Sequence, residues 1–374
     1  MSFALEKTLS LLLMILLGIF LRGKLGKDEH KKGLKVIILD LALPAMIFVA
    51  LLGIDMKGSL ILLPALVLVW NLFMLGISYF ILPFFGMAAN GTEHRTWMML
   101  FPSLAPGLSC FPFVTEYLGE EALAWAALGD VGNKLFVLVI TYLLAMSWYY
   151  RLHQINSGTN SQKIKSLLIT MVKEPINLVL LSAMILLSIG WNLESLPGPL
   201  QSLTTMLKDL MTPLILLFIG ISVILKWNPL RKIISMLLVR AGISLLISGL
   251  IIGMVQFSDP VLALFVVVFP LSSASFWPFA HMAAVTQLES NGSGLSSRKT
   301  FNMDLAINIL AVSLPLSTLL ILGVFSAGTY FVNPLAVLAL GGVLIAIPVV
   351  PRILSWVRNL EFNLEPKRPS LKRE

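Results

Sequence analysis

Apolar residues along this chain fall in long runs of about 20, separated by short polar segments. A helix of about 20 apolar residues spans roughly 30 Å of hydrocarbon, whereas membrane β-strands show runs of about 10 residues with alternating polarity. The pattern predicts an all-α polytopic membrane protein. We number its eleven predicted helices as spans 1 to 11, at residues 3–22, 34–53, 60–85, 95–118, 121–148, 175–193, 198–225, 232–256, 260–288, 301–327 and 333–356.

The composition agrees with this pattern and excludes a soluble globular domain. Apolar residues make up 57% of the 374 residues, charged residues only 12%, and the mean hydropathy is +0.90. The single cysteine, Cys110, excludes an intramolecular disulfide. These values predict an integral, multi-pass protein whose surroundings are the lipid bilayer.

Basic residues are concentrated on one side of the predicted spans. Of the 27 Lys and Arg residues, 22 fall in alternate connections or in the tail, at residues 22–35, 95, 151–173, 226–232, 298–299 and 352–373. Positively charged loops stay in the cytoplasm, so we expect the amino terminus outside and the carboxy terminus inside. The net charge of +8 is then a topology signal and implies no nucleic-acid partner. The expected location is the cell (inner) membrane.

The spacing of the spans predicts an internal inverted repeat. The polar segment after span 5 divides the first ten spans into five and five, so the second half must enter the membrane inverted. We expect a first repeat at 1–150, a cytoplasmic loop at 151–174, a second repeat at 175–327, an extra span 11 at 328–358 and a basic cytoplasmic tail at 359–374.

Three short motifs recur in the same order in the two halves. Span 2 contains DLALP and span 7 contains DLMTP. Spans 4 and 9 each contain FP followed by PF, and spans 5 and 10 contain GDVGN and MDLAIN. Because the offset between the halves is nearly constant, the motifs favour a five-plus-five inverted repeat.

Spans 4 and 9 carry too many helix breakers to remain continuous. A proline removes a backbone N–H and clashes with the carbonyl four residues earlier. Irregular backbone at membrane depth is tolerated only inside protein or along a wet cavity. Paired broken helices in two inverted halves indicate a transporter's central site, and half-helix amino ends attract carboxylates.

The predicted substrate-binding residues lie in these two breaks. They are Pro102, Ser103, Ala105, Pro106, Gly107, Ser109 and Pro112 in span 4, and Pro270, Ser273, Ser275 and Pro278 in span 9. Two alternatives stay open. The prolines could be ordinary kinks of membrane helices, and the serines could satisfy freed backbone groups instead of a ligand.

Ionisable residues inside membrane spans are functional candidates by default. The coupling-ion candidates are Asp130 and Asn133 in span 5, Asp304 and Asn308 in span 10, and His281 in span 9. Asp130 can pair with Lys134 four residues later. Asp304 is expected beside the crossing of the breaks, where it could bind Na⁺ or carry a proton.

Each of these candidates has a structural alternative. Asp130 and Asp304 could serve only as hydrogen-bonding groups, and His281 could be a neutral, hydrogen-bonded histidine. For Arg240 in span 8, we favour a side chain that extends to the polar boundary. Anion binding is the alternative.

Five stretches of the chain carry a family resemblance. They are GLKVIILDLALPAMIF (33–48), FPFVTEYLGEEAL (111–123), KEPINLVLLSAMIL (173–186), LPGPLQSLTTMLKDLMTPLILLFIGISV (196–223) and ILAVSLPLS (309–317). They resemble the auxin efflux carrier family, the PIN-FORMED-like carriers of the larger group that includes bile acid transporters and sodium antiporters. The similarity covers about the first 330 residues and leaves span 11 outside.

The resemblance implies a scaffold of spans 1, 2, 6 and 7 and a transport domain of spans 3 to 5 and 8 to 10. It also implies an organic anion bound where spans 4 and 9 cross, an elevator-like movement, and a possible homodimer through the scaffold. The chain departs from the family at Ala105, where the family usually has an Asn.

The sequence therefore predicts a secondary carrier for a small organic anion such as a carboxylate, with H⁺ or Na⁺ as possible coupling ions. The first alternative is a cation-coupled carrier for another solute such as an amino acid. An intramembrane enzyme is a remote alternative, because the sequence has no HExxH or GxSxG motif. We expect no enzyme activity, no cofactor and no metal site.

Overall fold

The protein is described here from a computed structural model, which covers residues 3–52, 62–153, 169, 175–222, 230–291 and 299–364. Every regular element in these ranges is helical. The chain is therefore an all-helical, multi-pass membrane protein. Most of the predicted loop at 151–174 and part of the tail at 359–374 lie outside the described residues.

The α-helices follow one another with few long connections. In chain order they are α1 Phe3–Leu25, α2 Asp28–Val36, α3 Leu43–Leu52, α4 Leu63–Phe84, α5 Thr92–Leu100, α6 Pro106–Ser109, α7 Phe111–Leu118, α8 Glu120–Leu135, α9 Thr141–His153, α10 Pro175–Ser188, α11 Gly198–Asp209, α12 Met211–Ser222, α13 Leu230–Val255, α14 Pro260–Val268, α15 Phe276–Asn291, α16 Met303–Ser326 and α17 Pro334–Leu364.

Eight segments of the described chain are long and apolar enough to cross a membrane. They are Glu29–Leu52, Leu63–Phe84, Glu120–His153, Gly198–Ser222, Leu230–Val255, Pro260–Ser290, Met303–Ser326 and Pro334–Ile353. Predicted spans 1 and 6 correspond to α1 and α10, and span 4 corresponds to the short helices α5, α6 and α7. The total of eleven spans stays a prediction.

Proline accounts for one local departure from α-helix. The backbone from Ile37 to Ala42 forms a π-helical turn directly before Pro44. Proline cannot donate to the carbonyl four residues earlier, and a π-turn re-routes the hydrogen bonds around that gap. A second π-turn, Phe136–Ile140, joins α8 to α9.

The helices pack in two groups that bear on the site. In one group, α1 runs along α12, and α3 packs against α10 and α11. In the other, α4 packs on α8, α5 on α16, α15 on α9, and α13 on both α14 and α17. Helix α17 belongs with the second group, and α3 of the first group also packs against α8 of the second. The division into a scaffold and a transport domain stays a prediction.

Glycine permits the closest helix contact of the first group. A Cβ at Gly220 of α12 would lie 2.1 Å from the Ile15 carbonyl oxygen of α1, and one at Gly18 would lie 2.5 Å from the Leu217 carbonyl oxygen. Small residues at such positions let membrane helices approach through their backbones.

We expect Gly220→Ala to destabilise the protein by about 1–3 kcal/mol, because the added methyl group overlaps the backbone of α1. The control is Gly76→Ala on α4, where a Cβ has no neighbour within 4 Å. Thermal unfolding of the purified variants measures both effects. Equal melting temperatures for the two variants would show that this contact is not close-packed.

Candidate functional site

The two predicted breaks meet in the interior of the bundle, at a contact that we call the crossing. Residues 101–105 separate α5 from α6, and residues 272–275 follow the 3₁₀ turn Phe269–Leu271 and precede α15. At the crossing, the Ala105 N–H donates to the Ser273 carbonyl oxygen at 2.8 Å. Both segments are almost entirely buried, so their backbone groups need partners from the protein.

Two asparagines supply partners for the first break. The Asn71 side chain of α4 donates to the Pro102 carbonyl oxygen at 2.8 Å. Asn133 of α8 bonds both backbone atoms of Leu104, donating to its oxygen at 2.9 Å and accepting from its N–H at 3.1 Å. The asparagines are also joined to each other at 3.1 Å. The first break is therefore held against α4 and α8.

Serines connect each break to the other. Ser109 Oγ accepts from the Ser273 N–H at 2.8 Å, and Ser103 Oγ accepts from the Ser275 N–H at 3.0 Å. Each hydroxyl also donates to a carbonyl of its own segment, at 2.9 and 2.8 Å respectively. These bonds give Ser103 and Ser109 the alternative role that the sequence left open, which is to satisfy freed backbone groups.

Arg240 of α13 donates to both breaks at once. Its side chain is buried, and its three guanidinium nitrogens donate to the carbonyl oxygens of Phe101 at 2.7 Å, Ser103 at 2.8 Å and Ser272 at 2.8 Å. The bonds are short, as is usual for charged donors. Arg240 therefore does not extend to the polar boundary, which corrects the favoured sequence interpretation.

A cavity of about 420 Å³ lies beside the crossing. Its volume falls in the range of small-molecule sites. The residues around it come from both helix groups and include Lys31, Lys35, Leu39, Leu43, Leu104, Ala105, Pro106, Gly107, Asp130, Asn133, Lys134, Phe218, Ser222, Ser273, Ala274, Ser275, Phe276, Trp277, Leu310, Ala311 and Leu314.

The charged side chains around this cavity are mostly positive. Lys134 Nζ lies 3.6 Å from the Asp130 carboxylate, and Asn133 donates to the same carboxylate at 2.8 Å. Lys35 Nζ stands 4.5 Å above the Phe276 ring, and Lys31 also lines the wall. Three lysines and one carboxylate therefore line the cavity.

Two further polar features point at the cavity. The α15 helix begins at Phe276 on the cavity wall, and the Phe276 N–H has no partner within the helix. In the same turn the Trp277 N–H donates to Ser275 Oγ at 3.4 Å, and Pro278 has no N–H. Ser222 Oγ is buried and has no hydrogen-bond partner among the described residues. Both can bind an oxygen of a ligand.

The structure divides the predicted substrate residues into two sets. Ala105, Pro106, Gly107, Ser273 and Ser275 line the cavity. The others build or flank the crossing without lining it: Pro102, Ser103, Ser109, Pro112, Pro270 and Pro278. Their role in binding a substrate stays a prediction.

The coupling-ion candidates do not lie together. Asp130 and Asn133 line the central cavity. Asp304 is exposed, and with Asn308 it lines a separate cleft of about 1360 Å³ that also contains Arg231 and Arg352. This placement corrects the expectation of a carboxylate beside the crossing.

His281 also lies outside the central cavity. Its Nε2 is 3.1 Å from the Val137 carbonyl oxygen in the second π-turn, and its ring packs against Tyr142. This contact agrees with the hydrogen-bonded alternative.

Sequence reasoning missed three contributors to the site. Asn71 gave no signal, because one amide in an apolar helix is unremarkable. Ser313 of α16 accepts from the Ala274 N–H at 3.3 Å, although the motif pairing pointed to Asn308 instead. Lys35 was interpreted only as a topology signal. It lies far from both breaks in the sequence, so nothing in the sequence indicated that it lines the cavity.

Comparison with known proteins finds similarity to a protein that is named a transporter. It is 26% identical over 252 residues to a protein of Methanothermobacter thermautotrophicus named "Uncharacterized transporter", a match that covers 66% of this chain and 76% of the relative. No family model matches the chain. Together with the apolar helices, the similarity supports a membrane transporter and a non-enzymatic role.

We expect Ser109→Ala to lower the stability of the protein by about 1–3 kcal/mol, because it leaves the buried Ser273 N–H without an acceptor. The control is Ser235→Ala, where the hydroxyl donates to the Arg231 carbonyl oxygen at a half-exposed position. Thermal unfolding measures the difference. If the Ser109 hydroxyl binds a ligand and does not stabilise the fold, the two alanine variants will unfold at similar temperatures when no ligand is present.

Proposed function

We propose that this protein is a secondary carrier that moves a small organic anion, such as a carboxylate, across the cell membrane. One observation carries the proposal. A single cavity beside two crossed, broken helices is bounded by three lysines, one carboxylate and the amino end of α15. A carboxylate would find hydrogen-bond donors and positive charge there, and apolar walls around its carbon skeleton.

We further propose that the carrier is of the auxin efflux type and works by an elevator-like movement. Both helix groups line the cavity, with Leu43 and Phe218 from the first group and Leu310 from the second. A ligand between the groups would be carried when one group moves against the other. The similarity to a named transporter supports this class of function.

The access state follows from the predicted orientation. The cavity wall includes Lys31 and Ser222, near helix ends that the positive-inside rule assigns to the cytoplasm. On the opposite side, Lys208 of α11 forms an ion pair with Glu120 at the start of α8. We therefore assign an inward-facing arrangement, in which this ion pair helps to close the outer side and must open during transport.

A cation-coupled carrier for another solute, such as an amino acid, is the second candidate. It is favoured by Asp130, a buried carboxylate on the cavity wall that could exchange a proton or hold a cation. The two candidates differ in the solute and share the cavity.

Uptake into liposomes tests the proposed carrier. We expect the purified, reconstituted protein to take up at least one labelled mono- or dicarboxylate in a saturable manner, and to be inhibited by other carboxylates more than by amides of the same shape. Uptake of a zwitterionic or cationic solute alone would favour the second candidate. No saturable uptake of any solute by folded protein would contradict both.

Removal of the cavity ion pair tests the site. We expect Asp130→Asn/Lys134→Gln to raise the KM for the carboxylate by about 10-fold or more, because a charge-assisted hydrogen bond to the ligand is lost. Both partners are neutralised so that no buried charge is left unpaired.

The matched control for this variant removes an ion pair elsewhere. Lys232 and Glu93 lie 2.7 Å apart and line the separate cleft, so Glu93→Gln/Lys232→Gln should leave the KM within about twofold, as a surface pair contributes little. Equal effects of the two double variants on the KM would contradict a role of Lys134 in binding the anion.

A further inference from the structure

The crossing contains a buried positive charge that has no acidic partner among the described residues. Arg240 is 3% exposed, and none of the ion pairs between described residues includes it. A buried charge is costly unless it is compensated. Here the compensation comes from the three carbonyl oxygens that accept its hydrogen bonds.

These carbonyls would form a cation site even without the arginine. Those of Phe101 and Ser103 follow the carboxyl end of α5, and that of Ser272 follows the 3₁₀ turn after α14. Helix carboxyl ends carry partial negative charge. Unwound carbonyls and half-helix carboxyl ends coordinate Na⁺ in transporters with broken helices. Without a cation, the three oxygens would repel one another in a low-dielectric interior.

We propose that Arg240 is a tethered cation that permanently occupies a carbonyl site which a monovalent metal ion would otherwise fill. The side chain donates to both breaks, so it fixes how they cross. Arg240 does not line the central cavity, and it is therefore a positioning residue rather than a ligand for the solute. A consequence, which rests on the proposed carrier function, is that transport by this chain does not require Na⁺.

Thermal unfolding of the purified protein tests the cation site without any transported solute. Arg240→Ala should lower the melting temperature by at least about 5 °C. Millimolar guanidinium should recover at least half of that loss, and choline at the same ionic strength should recover none. Arg231→Ala is the matched control, because Arg231 lies on the same helix and is exposed; it should show neither loss nor recovery.

Two further variants keep the test decisive if the alanine variant does not fold. Arg240→Lys retains a charge and three donors, whereas Arg240→Gln retains only a neutral amide. The lysine variant should unfold at the higher temperature. A glutamine variant as stable as the lysine variant would overturn the proposal, and so would a lack of any guanidinium effect on a folded alanine variant.

The dependence of the wild-type protein on Na⁺ completes the test. The wild type should unfold at the same temperature in Na⁺, K⁺ and choline, and its liposome uptake should be the same with Na⁺ or choline outside. Specific stabilisation by Na⁺, or uptake that needs Na⁺, would overturn the tethered-cation proposal. Guanidinium recovery without any solute uptake would instead refute the carrier function and leave the cation site supported.

Discussion

The three hydrogen bonds from Arg240 to the two breaks are the interaction on which the rest of the site depends. Two irregular segments meet inside a bundle that lies in hydrocarbon, where water cannot satisfy their backbone groups. The protein supplies the partners itself: Arg240 bonds Phe101, Ser103 and Ser272, while Asn71 and Asn133 bond the remaining part of the first break. Each partner comes from a different helix, so the crossing fixes the positions of α4, α8 and α13 relative to one another.

The carboxyl and amino ends of the broken helices have different electrostatic surroundings in this arrangement. Arg240 compensates the carboxyl ends near the crossing, and the amino end of α15 remains on the cavity wall. The partial negative charge of the carboxyl ends is thus matched by Arg240, while the amino end of α15 and the lysines line the cavity. An anion would complete the charge balance of the cavity. This distribution of charge is the basis on which we propose a carboxylate as the solute.

Hydrophobic run lengths and prolines were enough to predict the helical class, the two interrupted spans and five of the residues that line the cavity, because these features depend on local sequence. The partners of the breaks were not predictable in the same way. Arg240 meets Phe101 across 139 residues, and its direction depends on how α13 crosses the bundle. Asp304 was matched to Asp130 by motif order, yet α16 begins at Met303 and leaves Asp304 exposed in its first turn.

The accessibility of a cysteine placed in the cavity tests whether an anion binds beside the crossing. Ala311 lines the cavity, and the native Cys110 is buried, so Ala311→Cys gives one reactive thiol over a low background. We expect a negatively charged thiol reagent to modify this cysteine faster than a positively charged one of the same size, and a transported carboxylate to slow the reaction. Faster modification by the cationic reagent, with no protection by any carboxylate, would contradict an anion site at the crossing.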